Sequence, residues 1–142
     1  MTLSRAALKG AILARLDSLG REHPLGHQGA YANRYILRSD HGALVELLFE
    51  KGEKSPPNLW VRADQAGALQ GGPIPLRHSS AAMLYQKPSK DGGRSYGRHS
   101  ALEPMPILGR ADLLCFALRS VEDLDQVVAV LIQAQPAGKI SA

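Results

Sequence analysis

The segment Arg94-Ser95-Tyr96-Gly97-Arg98-His99-Ser100 gathers side chains suited to holding phosphate. A guanidinium group is planar and grips a phosphate with paired hydrogen bonds. Tyr96 offers a ring for stacking and a hydroxyl for a phosphate oxygen, and Gly92, Gly93 and Gly97 allow the backbone to approach a ligand closely. Interleaved cations and aromatics are what contact with a single strand or a phosphate backbone requires. The charge extends upstream through Arg77, Lys87 and Lys90, so that Arg77 to His99 carries five basic residues against one acid, Asp91. That excess equals the net charge of the whole chain, +4, and the rest of the sequence is balanced. The nucleic-acid-binding residues expected from sequence are therefore Arg77, Lys87, Lys90, Arg94, Tyr96, Arg98 and His99. A solvated loop whose charge only aids solubility is the plainer alternative.

His99 is the weak catalytic candidate. Beside Arg98, its imidazole could act as a general base in phosphodiester cleavage, with the arginines stabilising the developing charge. The local motif lacks a second acid-base group, which His78, His41 or Glu103 would have to supply through the fold. A histidine that bonds the backbone and orders the loop is the favoured reading. A metal-dependent nuclease site is weighed at Glu46 and Glu50, four apart on an expected strand, with Asp40 nearby. The acid-x-lysine spacing of restriction-type nucleases fails at Glu50-Lys51 and at Glu53-Lys54, and the two glutamates are expected to face solvent. His23 and His27 are spaced as a helical zinc pair, but Pro24 and Gly26 oppose a helix there, and no second cysteine or HExxH motif exists. No metal and no cofactor is expected: P-loop and GxGxxG motifs are both absent. The single cysteine, Cys115, sits among Leu113, Leu114, Phe116 and Ala117 and reads as a small core hydrophobe in a reducing, cytoplasmic compartment.

The elements that must carry these groups follow from periodicity. Leu8, Ile12, Leu16 and Leu19 mark one face of a helix over about 4–19, with Thr2 or Ser4 as its cap and Gly20 as its stop. Residues 21–30 read as a loop. Three strands follow at 31–38, 44–50 and 58–62, an antiparallel meander whose first turn is Ser39-Asp40-His41-Gly42. Residues 63–75 show little periodicity, 81–86 could be a strand or a short helix, and 87–99 reads as a flexible basic loop or a long hairpin tip. Residues 100–109 hold at most a short helical turn, limited by Pro104 and Pro106. Ala111–Arg119 is the clearest buried strand. Ser120 and Asp123 form a capping-box variant ahead of a helix over about 121–134, and a frayed tail is expected at 136–142. Leu113, Phe116, Leu124, Val128 and Leu131 are expected to share one core.

With 142 residues, 44% of them hydrophobic and 21% charged, the chain suits one domain and argues against wholesale disorder. No apolar run approaches a membrane span, and Met1–Gly20 lacks the apolar stretch of a secretory signal. The expectation is a single α+β domain over 1–142, a two-layer sandwich with an N-terminal helix, a mostly antiparallel sheet of 4–5 strands and a C-terminal helix. Its expected role is binding of nucleic acid (DNA or RNA) through phosphate contacts. The rivals are a protein-interaction module, an inhibitor or adaptor meeting an acidic protein surface, and a His-dependent nuclease or phosphodiesterase.

Overall fold

The computed structural model describes residues 3–136. Helix α1 (Arg5–Leu19) leads into a six-stranded antiparallel sheet, and helix α2 (Val121–Leu131) closes it. The strands are β1 (Arg21–Glu22), β2 (Ala32–Arg38), β3 (Leu44–Glu50), β4 (Asn58–Arg62), β5 (Leu76–Ser79) and β6 (Leu113–Ala117), in the spatial order β1-β2-β3-β4-β6-β5. The expected α+β class, both helices and the meander are present. The sheet has six strands rather than 4–5, because the two-residue β1 and the short edge strand β5 join it. From residue 137 onward the expected tail lies outside the described residues.

Capping sets the helix starts. Ser4 Oγ accepts the Ala7 amide at 3.1 Å, and Ser120 Oγ accepts that of Asp123 at 3.1 Å. Asp123 reaches back to the Arg119 amide at 2.9 Å and pairs with its guanidinium, which holds the Asp123 carboxyl below the usual carboxylate range. α1 stops at Gly20, where a Cβ would lie 3.0 Å from the Ile36 carbonyl oxygen as the chain turns into β1 alongside β2.

The strands alternate strictly between two faces. Val45, Leu47, Phe49, Leu59, Val61, Leu114 and Phe116 point to the face covered by α1 and α2, where they meet Leu8, Ile12, Leu16, Leu124, Val127, Val128 and Leu131. The opposite residues, Leu48, Trp60, Leu113 and Cys115, form a second buried cluster with Tyr96, Ala101, Leu102, Met105 and Leu108. Leu113 therefore does not share a core with Phe116 as expected: it is an odd neighbour on the same strand and looks the other way. Cys115 is buried here, and desolvation pushes its thiol up to about 12. That suits a packing role.

The second face is covered by the irregular chain from residue 80 to 111 rather than by a helix. Such a cover lacks a ladder of its own, so its backbone groups need other partners. Charged side chains of the sheet provide them. Glu46 Oε1 accepts the amides of Ile107 and Leu108 at 2.9 and 2.8 Å. Arg34 donates to the carbonyls of Ala101 and Gly26 at 2.9 and 3.0 Å. Glu50 serves the sheet itself, accepting the β4 Trp60 indole N–H at 2.7 Å. Glu46 and Glu50 are thus 0% and 8% exposed, not solvent-facing as expected, because the face they share is roofed. Glu46 Oε2 also meets His23 Nε2 at 2.6 Å. His23 Nδ1 accepts the Leu25 amide at 3.0 Å, so Nε2 is the nitrogen that carries the proton and donates to Glu46. His23 is a structural partner of this carboxylate. Among the described residues no group of three or more His, Cys, Asp or Glu is placed to hold a metal ion, and no helix there is long and apolar enough to cross a membrane.

Candidate nucleic-acid interface

Residues 85–96 fold back on themselves as a two-stranded finger. The Tyr85 amide donates to the Tyr96 carbonyl at 3.4 Å, the Ser95 amide to Lys87 at 2.7 Å and the Ser89 amide to Gly93 at 2.7 Å, with Pro88 opposite Arg94. Lys90-Asp91-Gly92 is the three-residue tip. Its turn ends on Gly92 at φ 85°, the left-handed position that favours glycine in such hairpins. Of the two forms expected for this segment, the hairpin is the one present.

The expected site residues divide into two groups. Lys87, Lys90 and Arg94 lie along the finger with exposed side chains. Arg94 makes one long bond, 3.4 Å to the Gln86 carbonyl. Arg77, on the edge strand β5, is also exposed, with its guanidinium 4.8 Å from the centroid of the Trp60 ring. Stacking occupies the flat face of a guanidinium and leaves its in-plane N–H donors available to a ligand. Among the described residues none of these four cations is within ion-pair distance of a carboxylate, whereas Arg15, Arg62 and Arg119 each are.

The other three residues hold the finger's root. Tyr96 is 8% exposed, and its hydroxyl donates to the Gly109 carbonyl; its ring packs in the second core and is not a surface platform. Arg98 donates from Nε to Ser79 Oγ at 2.8 Å and from Nη2 to the Ser79 carbonyl at 2.9 Å, tying the root to β5. His99 caps the single helical turn Ser100–Leu102, with Nδ1 accepting the Ala101 amide at 3.1 Å. This is the ordering role. Among the described residues no hydrogen bond or ion pair joins His99 to a second titratable side chain. Glu103, one of the candidate partners, is engaged by the Tyr85 hydroxyl.

Sequence reasoning passed over two residues of this region. Tyr85 and Arg110 lie beside the root, with the Arg110 guanidinium 5.6 Å from the centroid of the Tyr85 ring. Arg110 is exposed and has no carboxylate partner among the described residues. No family model matches this chain, and no curated protein or solved structure matches it.

The root is crowded as well as bonded. A Cβ on Gly109 would fall 2.6 Å from the Met105 carbonyl oxygen and 2.7 Å from that of Glu103. Backbone atoms cannot swing aside as a flexible side chain would. Gly109→Ala should therefore destabilise the protein by about 1–3 kcal/mol, read as a lowered urea midpoint. An unchanged midpoint would mean that the 103–109 turn is far looser than its contacts imply.

Proposed function

We propose that this protein binds nucleic acid by neutralising phosphates with Arg77, Lys87, Lys90 and Arg94, aided by Arg110. The supporting observation is the unpaired state of these cations: Lys87, Lys90 and Arg94 lie on a finger whose root is fixed by Tyr96, Arg98 and His99, Arg77 on β5 and Arg110 beside the root. Exposed charge left without intramolecular partners is available to a polyanion, and each phosphate neutralised releases counterions and adds salt-dependent affinity. The expected setting is the cytoplasm, in keeping with the lone buried thiol of Cys115. Hydrolysis forms no part of this reading.

The test is the affinity of the purified protein for labelled single- and double-stranded DNA and RNA as a function of salt. With four to five phosphate contacts, affinity should fall on the order of 10²-fold between about 50 and about 200 mM salt. Absence of binding at the lower salt would refute the proposal. Binding to an acidic protein in its place would favour the interaction-module alternative.

A further inference from the structure

Resting on the reading just proposed, we infer that the ligand is single-stranded and that Tyr85 is the platform on which one of its bases stacks. Tyr85 has φ 60°, the one non-glycine residue among those described with positive φ. A bulky side chain is a poor choice for that backbone, where glycine would sit without strain. Strain of this kind collects where a side chain must be presented in a particular direction. Here the strained backbone sets a half-buried ring at the finger's root, partly packed against the second core and beside the unpaired Arg110.

The ring is also held. Its hydroxyl donates to Glu103, which raises its pKa and keeps the proton in place. Its centroid lies 5.6 Å from that of Tyr96, with the two planes tilted by 53°. The Arg110 guanidinium stands over it, and a planar guanidinium can itself join a stack. Two residues earlier Met83 is 65% exposed and adds apolar surface. A ring fixed in orientation, with the Arg110 guanidinium beside it and Tyr96 behind, suits a base with an open π-face. A duplex hides those faces in its own stack, whereas a single strand offers them.

The experiment is fluorescence anisotropy with a labelled mixed-sequence DNA strand of about 12 nucleotides and with its duplex. The single strand should bind at least about tenfold more tightly. Tyr85→Leu keeps apolar cover over Tyr96 but removes the π-face, and should weaken single-strand binding by about 5- to 150-fold with the salt slope unchanged. Tyr85→Phe should stay within about twofold of the wild type, since it keeps the ring. Should Tyr85→Leu fail to fold, photo-crosslinking of the wild-type protein to an iodouridine-substituted strand replaces it, with the crosslink expected at Tyr85. A crosslink confined to other residues overturns the inference. Equal, salt-sensitive binding of strand and duplex, untouched by Tyr85→Leu, overturns it and leaves the phosphate reading standing. Absence of salt-sensitive binding to either overturns both.

Discussion

Glu46→Ala should destabilise the protein by roughly 3–6 kcal/mol, taking about 1–3 kcal/mol for each buried donor left without an acceptor and allowing for water entry. Three donors depend on this side chain: the amides of Ile107 and Leu108 and Nε2 of His23. Against a total of about 5–15 kcal/mol such a loss is large. Glu46→Gln should cost less, about 1–3 kcal/mol, because the amide oxygen can still serve both backbone donors. Its NH₂ would then face the His23 N–H, and turning His23 into its other tautomer would only move the donor clash to the Leu25 amide. Urea denaturation of the two variants gives the ordering. Amide hydrogen exchange should show Ile107 and Leu108 losing protection first in Glu46→Ala, since they are the cover's anchor. Near wild-type stability of Glu46→Ala would mean that the cover holds without this carboxylate.

Phe116→Ala should cost about 3–5 kcal/mol and act on the other face. The ring is fully buried under α1 and α2, and in the sheet Phe116 stands between Leu59 on β4 and Leu76 on β5. Removing it leaves a cavity shared by both helices and three strands. Thermal unfolding followed by circular dichroism should remain one transition, displaced to lower temperature. A change of less than about 1 kcal/mol would indicate that the helices close onto the vacated space.

These two positions also mark where sequence was and was not legible. Phe116 lies in an unbroken apolar run, and α1, the meander and the β6–α2 unit carry strong periodicity and caps, so each was readable to within a few residues. β5 was missed because Leu76-Arg77-His78-Ser79 has one apolar side chain in four, as suits an edge strand needing burial at few positions. Glu46 and Glu50 were misread for a different reason. Polar residues alternating along a strand signal solvent only when that face is open. Here the same alternation gives Glu46 to the amides of an irregular cover and Glu50 to the Trp60 indole beneath it, and nothing local in the sequence separates the two cases. The candidate site shows the same limit. The excess of cations was plain, but the placement of the two tyrosines was not: Tyr96 lies inside and Tyr85 is half-buried beside it. Arg98 is likewise a clamp, bonded to Ser79, so a joint replacement of Arg94 and Arg98 would disturb the root together with the surface charge.

The most direct test of the phosphate-binding reading therefore spares the root. The variant carrying Arg77→Gln, Lys87→Gln, Lys90→Gln and Arg94→Gln removes exposed charge without an ion pair to lose, so its stability should match the wild type to within about 1 kcal/mol. Measured against the same single-stranded oligonucleotide, the slope of log affinity on log salt should flatten by up to about 3, as expected for four lost phosphate contacts. A folded quadruple variant with the affinity and salt slope of the wild type would contradict the assignment of these four cations as the nucleic-acid contact.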